Sequence, residues 1–300
     1  MRSAIDDDLV TMVREFAGGG TPAAHAAAGR AASAGDPVAR AAAEYLEGVI
    51  ARGSRPTYEH AEAFSAFIRG GGNQRLYCAV NAALRGIYRQ LPPSFRLADA
   101  GVGDGLAVLP AIDGIDAAVT VIEPVRELLA VTTAGLDRMG VRYEAFAMTI
   151  EEFIRAHGDR RFDLIQATFS LQSLPRETRR SVLGWMQRAS GRLAIVEFDV
   201  PRFASLLDPA HVAHVVERYR LGLAEYGDDG GLVAQGFLMP VMFGYFTTSR
   251  ARTNYEQPMT DWVTDLRDAG FAEVATKVIA DYWWAPAFLA DAGRAPEAVR

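Results

Sequence analysis

"RLADAGVGDGLAVLPAI", residues 96–112, is the stretch whose reading decides the fold. Three glycines, Gly101, Gly103 and Gly105, stand at alternate positions after Asp99, and an apolar run follows them. The residues before the glycines read as a strand and those after them as a helix. In that context glycine permits a tight strand-to-helix turn and the close approach of a ligand to the backbone. The glycine pattern alone would decide little, because tight turns also use glycine for steric reasons.

Short apolar runs recur on either side of this stretch, at 96–100, 118–123, 141–146, 162–168 and 193–198. Helical patterns separate them, as a parallel sheet with crossover helices requires. Residues 1–92 read instead as helices: Val38, Ala42, Tyr45, Leu46 and Ile50 recur at helical spacing, and Gly70, Gly71 and Gly72 break two further helices. Residues 201–259 interrupt the alternation with a helix, "PAHVAHVVERYRLGLAEYG", and a very apolar segment, "LVAQGFLMPVMFGYF". "MTDWVTDLRDAGF" reads as another crossover helix, and "FAEVATKVIADYWWAPAFLA" as two strands joined by a tight turn. The expected organisation is a helical N-terminal cap over 1–92 and a Rossmann-like α/β domain over 93–300, with 201–259 inserted as a lid.

The chain has 300 residues, 50% of them apolar and 23% charged, which describes a soluble globular protein. A net charge of −6 argues against a general affinity for nucleic acid, which asks for a basic face. Cys78 is the single cysteine, so no internal disulfide forms and a reducing compartment is the simpler assumption. It lies in a helical pattern, "NQRLYCAVNAALRGIY", where a buried inert thiol is expected. The N-terminus lacks an apolar signal core and no run is long enough to span a bilayer, so a cytoplasmic protein without membrane partners is expected.

Charge beside the glycines separates the ligands that such a loop could take. Asp99 ends the first strand, where its carboxylate would repel the diphosphate of a nicotinamide or flavin cofactor. S-adenosylmethionine carries an ammonium and a sulfonium, and an acid nearby attracts both. Glu123 ends the next strand in "VTVIEP", where a carboxylate can accept from both ribose hydroxyls of either kind of nucleoside.

With "LADAGVGDG", "VIEP", "FDLIQATFSLQSL", "GRLAIVEF" and the closing strand pair, the chain resembles the class I S-adenosylmethionine-dependent methyltransferases from about Phe95 to Phe288, the insertion apart. The resemblance implies a seven-stranded sheet with an antiparallel C-terminal hairpin and the cofactor over the carboxyl ends of the first strands. It also implies that Asp99, Gly101 and Gly103 line the methionine moiety, that Glu123 holds the ribose, and that Thr168 and Phe169 border the sulfonium. Many members place an aspartate after the third strand for the adenine amino group. Here "YEAFAMTIEEF" has Ala147 and Met148 in that region, so packing on Met148 and backbone groups is the expected adenine contact, ahead of Glu151 or Glu152. Arg69, beside the glycine break, is a candidate for the methionine carboxylate; a surface arginine at a helix end is the alternative.

Methyl transfer depends mainly on positioning, so no strong catalytic constellation is required. The fourth strand ends in "TFSL" rather than the Asn/Asp-Pro-Pro-aromatic signature of amino-group methylation on adenine or glutamine. The acceptor is expected between the N-terminal helices and the insertion, near Tyr245, Tyr255, Tyr282, Trp283 and Trp284. Gln172 and Glu197, at the ends of the fourth and fifth strands, are the candidates to orient it, with local hydrogen bonding as the alternative. His211 and His214, three apart on one helix, are candidate ligands of a divalent metal, with Gln235 or a distant residue needed to complete the set; the alternative is that they pack or face solvent. The insertion is also loosely similar to the 2-oxo acid C-methyltransferases of antibiotic pathways, in which a metal would stabilise an enolate.

The expected activity is therefore S-adenosylmethionine-dependent methylation of a small metabolite, with C-methylation of a 2-oxo acid as the finer expectation. O- or N-methylation of a biosynthetic intermediate, a nicotinamide-dependent oxidoreductase and a non-catalytic binding protein of the same fold are the alternatives. A homodimer is admitted.

Overall fold

The structure, a computed structural model, describes residues 4–53, 61–247 and 252–293. In chain order the helices are α1 Ala4–Ala17, α2 Thr21–Ser33, α3 Pro37–Arg52, α4 Ala61–Arg69, α5 Gly71–Tyr88, α6 Val108–Ile112 and α7 Arg126–Met139. They continue as α8 Ile150–His157, α9 Arg176–Ala189, α10 Pro209–Leu223, α11 Gly230–Val233, α12 Met239–Tyr245 and α13 Met259–Asp268. The described residues of 1–75, 202–252 and 282–285 form one compact unit, and those of 76–201, 253–281 and 286–300 form a second.

The second unit is built on one sheet. Its strands are β1 Phe95–Ala100, β2 Ala117–Ile122, β3 Arg142–Phe146, β4 Phe162–Thr168, β5 Ser190–Phe198, β6 Glu273–Ala280 and β7 Ala287–Gly293. They lie in the order β3-β2-β1-β4-β5-β7-β6, and β7 runs antiparallel to both its neighbours. The chain order reverses between β1 and β4, the switch point outside which ligands bind in open α/β sheets. Strand alternation sorts the side chains. Ala98, Ala100, Ile165, Ala167, Leu193 and Ile195 share a buried core with Phe153 of α8, Trp185 and Met186 of α9, and Trp262 and Leu266 of α13. The central strands are buried on both faces and so read as continuous apolar runs, whereas the edge strands β3 and β6 are largely exposed.

The buried stripe of α5 within this unit is Leu76, Val80, Leu84, Ile87 and Tyr88, spaced as one helical face requires. Cys78 lies off that stripe and is exposed, contrary to the buried thiol expected from the pattern. Among the described residues no helix is long and apolar enough to cross a membrane.

In the first unit, α10 starts where Asp208 caps it by accepting from Ala210 N at 2.8 Å, with Pro209 at the first helical position. The apolar segment after it is helical: α11 and α12 are joined through a π-helical turn, Ala234–Leu238. Phe243 of this run packs on Phe16 and Tyr45, with ring centroids 4.5 and 5.4 Å away. The hairpin closing the sheet lacks the tight turn expected of it. Residues 282–285 instead join the first unit, where Tyr282 and Trp283 are buried. Two interactions hold this excursion. The Tyr282 hydroxyl donates to Asn73 Oδ1 at 3.1 Å, and Arg218 donates to the carbonyls of Tyr282 and Trp284 at 2.6 and 2.9 Å.

Phe288 has no exposed surface and lies on β7 between β5 and β6. Phe288→Ala is expected to cost about 3–5 kcal/mol in urea unfolding, the usual effect of emptying such a site. A change below about 0.5 kcal/mol, as at a surface position, would contradict this placement of the core.

Candidate cofactor site at the carboxyl ends of β1, β2 and β4

The glycine turn leaves β1 in a conformation that side chains resist. Gly101 has φ +75° and Gly103 φ +60°. A Cβ on Gly101 would stand 2.5 Å from the Cβ of Ser170, whose hydroxyl donates to Ala100 O at 2.6 Å. The turn from β1 thus lies directly against the turn from β4. At Gly103 a Cβ would meet nothing within 4 Å, so this part of the loop presents bare backbone to open space. Glu123, 7% exposed, fixes it: one carboxylate oxygen accepts from Gly103 N and the other from Val125 N, both at 3.0 Å. Thr132 closes the other side by donating to Gly103 O at 2.8 Å.

Asp99 lies beneath this turn with 1% of its surface exposed. Its Oδ2 accepts from Gln166 Nε2 at 2.8 Å, and the Gln166 Oε1 accepts from the Tyr88 hydroxyl. Asp99 Oδ1 is buried without a hydrogen-bond partner among the described residues. Burial pushes the Asp99 carboxyl up to about 7; the Gln166 bond lowers it and the Glu123 charge raises it further. Among the described residues no basic side chain stands within ion-pair distance of Asp99, Asp104 or Glu123. The turn is therefore a strongly acidic cradle.

At the end of β4, Thr168 has a buried hydroxyl without a hydrogen-bond partner among the described residues. Phe169 adopts φ +51°, a left-handed conformation that a bulky residue holds only under constraint from its surroundings. Two rings supply that constraint. Phe198 stacks on it at 4.5 Å, and Tyr77 of α5 meets it edge-on at 6.3 Å. The Tyr77 hydroxyl is pushed up to about 12 by burial and by the charge of Asp104. Met148 is half-buried and packs against the core beside β3. Glu152 is committed to a capping box with Thr149 at the start of α8, and Glu151 beside it is half-buried. Arg69 belongs to the first unit, where it is exposed as the last residue of α4.

Gln172 and Glu197 do come together, but through the main chain. Glu197 has no exposed surface, and its Oε1 accepts from Gln172 N at 3.2 Å and also serves Leu171 N. It thereby caps the 3₁₀ turn Leu171–Ser173 that follows β4. Burial pushes the Glu197 carboxyl up to about 8, and the Glu256 charge adds to this while Arg179 opposes it. Arg179 is itself buried, donating to Tyr255 O at 3.0 Å and Gln257 Oε1 at 2.6 Å, with its guanidinium 4.4 Å from the Trp262 ring centre.

His211 and His214 face a different environment, in the first unit. His211 Nδ1 lies 3.3 Å from Ser205 O and Nε2 lies 2.9 Å from the Tyr245 hydroxyl. A carbonyl only accepts, so Nδ1 carries the proton and Nε2 accepts from Tyr245. Phe203 stacks on the ring at 4.4 Å and is tilted against His214 at 5.4 Å. Burial lowers the pKa of both imidazoles. Coordination through His211 Nε2 would displace the Tyr245 hydroxyl, whereas the Nδ1–H bond to the Ser205 carbonyl is one that a metal-bound imidazole also makes. Gln235, the suggested third ligand, donates to Ala41 O at 3.1 Å. Among the described residues no group of three or more His, Cys, Asp or Glu is placed to hold a metal.

Five participants escaped the sequence reading: Gln166, Tyr88, Tyr77, Thr132 and Ser170. The signal for Gln166 was present, since an amide in the apolar run of "FDLIQATF" is the informative kind of exception. The two tyrosines look like ordinary members of a helical stripe.

No protein-family model matches this sequence, and no curated protein sequence matches it. Solved structures do. Magnesium protoporphyrin IX methyltransferase of Synechocystis with bound S-adenosylhomocysteine aligns with a TM-score of 0.50 and 14% identity, over 79% of this chain and 97% of that one. The same enzyme with bound S-adenosylmethionine aligns at 0.49 and 14% identity, over 79% and 94%. The CMeT domain of the citrinin polyketide synthase aligns at 0.46 and 16% identity, over 71% of this chain and 51% of that one. The strand order and the first of these likenesses establish that the chain has the class I methyltransferase fold.

Glu197 yields a prediction about stability. Its carboxyl holds a proton in the folded state up to about pH 8, but in the unfolded chain only to about 4.5. The folded state is thus increasingly penalised as pH rises through that window. Glu197→Gln removes this penalty and keeps an oxygen for the turn. Its melting temperature relative to wild type is expected to rise steadily between about pH 5 and pH 8. A difference that stays constant across this range would refute the assignment.

Proposed function

We propose that the protein is an S-adenosylmethionine-dependent methyltransferase acting on a small molecule. The observation that carries the reading is the buried oxygen of Asp99 that has no hydrogen-bond partner among the described residues, under a glycine turn flanked by Asp104 and Glu123. Such a cradle favours a cation and repels a diphosphate. The residues fit the cofactor in three respects. Asp99 Oδ1 is a buried acceptor without a hydrogen-bond partner among the described residues, a lack that an ammonium group would meet. Glu123 uses one acceptor site on each oxygen for the loop, which leaves a second on each for the ribose hydroxyls. Bare backbone at Gly103 permits close approach. The methyltransferase aligned at a TM-score of 0.50 holds S-adenosylhomocysteine, which supports the same use of the fold.

When bound, the cofactor supplies an electrophilic methyl group on a positively charged sulfur. The work of this chain is to hold and orient. Thr168 and the strained Phe169 would border the sulfonium, with Tyr77 packed against Phe169, and Met148 would be the packing surface for adenine. Fixing an acceptor at about 3–3.5 Å from the methyl would supply roughly 7–11 kcal/mol of the barrier without acid–base chemistry. An O- or N-acceptor that arrives protonated needs a base as well, worth about 10²–10⁴-fold. C-methylation of a 2-oxo acid through a metal-held enolate would require His211 Nε2 to exchange the Tyr245 hydroxyl for the metal.

S-adenosylhomocysteine at one hundred times its Kd is expected to stabilise the protein by about 2.7 kcal/mol, and NAD not at all. Glu123→Gln should weaken S-adenosylhomocysteine binding by about tenfold to a hundredfold, the loss of charge-assisted hydrogen bonds worth about 1.5–3 kcal/mol. Stabilisation by NAD alone in a thermal melt would overturn the proposal.

A further inference from the structure

Gln166 is fully buried in the middle of β4 and links two oxygens from other elements, the Tyr88 hydroxyl on α5 and Asp99 Oδ2 on β1. We infer that Tyr88 and Gln166 are positioning residues that keep Asp99 an ionised acceptor, ready for the ammonium end of the cofactor. The inference rests on the S-adenosylmethionine reading above and extends it to residues that do not themselves touch the ligand.

Hydrogen-bond polarity carries the argument. A phenol has one proton to give, an amide has donors only on nitrogen, and a carboxylate only accepts. In the observed chain Tyr88 donates to Gln166 Oε1, which turns the amide nitrogen toward Asp99. Every link is then satisfied with Asp99 as the acceptor. If Asp99 instead donated a proton to Gln166, the amide would have to turn over and present its nitrogen to Tyr88. The phenol proton would then lose its acceptor, in a residue only 1% exposed. A proton on Oδ1 is no better placed, since that oxygen has no partner among the described residues. An unmet buried donor is costly either way. Tyr88 therefore biases the whole chain toward ionised Asp99.

The groups that face Asp99 are Tyr88 from α5, Gln166 from β4 and Glu123 from the end of β2. Burial and the Glu123 charge oppose ionisation, and the Gln166 bond favours it. The balance leaves the carboxyl at about 7, close enough to neutrality for a bound ammonium to decide it. Binding of the cofactor should then release a proton.

The experiment is calorimetric titration of the full chain with S-adenosylhomocysteine, which has the ammonium but no methyl group to transfer. Titrations between about pH 5.5 and pH 8.5 are repeated in two buffers of different ionisation enthalpy. For wild type, Kd should rise about tenfold per pH unit below a midpoint, as it does when only the ionised form is competent to bind. Proton release should be seen below that midpoint. Tyr88→Phe should move the midpoint upward by about one unit, a loss of about tenfold at low pH, and recover wild-type affinity at high pH. Asp99→Asn should bind weakly without this pH dependence. A Tyr88→Phe variant with an unmoved midpoint, or weakened equally at every pH, would overturn the inference. So would wild-type binding that is independent of pH; both results leave the methyltransferase reading standing. Failure of wild type to bind S-adenosylhomocysteine at any pH would remove that reading itself.

Discussion

A carboxylate shut away from water has to be met by donors or by a cation, and Asp99 imposes that demand on everything around it. Among the described residues it has one donor, Gln166, and one oxygen without a partner. Its depth follows from the fold. Asp99 sits in β1 in register with Val121 of β2 and Gln166 of β4, at the place where the order of the sheet reverses. Burial at such a position raises the carboxyl toward neutrality. A positive charge would be the electrostatic complement of such a group, and the bare backbone at Gly103 leaves open space beside the turn.

The remainder of the site is scaffolding for that turn, and much of it is polar and buried. Glu123 and Thr132 grip Gly103 from either side, and Ser170 ties the end of β4 to the end of β1. Glu197 performs the same service one strand further along by capping the turn after β4, and it too is left with a displaced pKa. Phe169 shows the strain in this arrangement directly, in a left-handed conformation clamped between two rings. Polar groups taken out of water are costly unless bonded. Their concentration at one end of the sheet marks where the protein gives up stability to hold a shape.

Legibility in the sequence tracked the range of the interaction. The strands, the glycine turn, Asp99 and Glu123 obey local rules of periodicity and turn chemistry, so they could be placed from neighbours a few residues away. Glu152 was a local signal that went unused: Thr149 and Glu152 have capping-box spacing, and the structure shows both halves of the box. Tyr88 and Gln166 are 78 residues apart, and no local pattern announces their bond. The histidines show the same limit from the other direction. Their spacing on one helical face was read correctly, but the partners of His211, Ser205 and Tyr245, lie outside that helix. The closing hairpin was misjudged for a similar reason, since Tyr282 leaves the sheet to reach Asn73, 209 residues earlier.

The sequence by itself determined the alternation of strands and helices, the turn that only glycine fits, and the sign of the charge beside it, because each depends on residue chemistry within a span of about one element. Only the tertiary structure decided which buried oxygen of Asp99 stays unpartnered, that Glu197 serves a turn, and that His211 is engaged by its neighbours. Those outcomes depend on donors and acceptors brought together by packing between distant segments, and burial then fixes their protonation. Chain order carries no record of either.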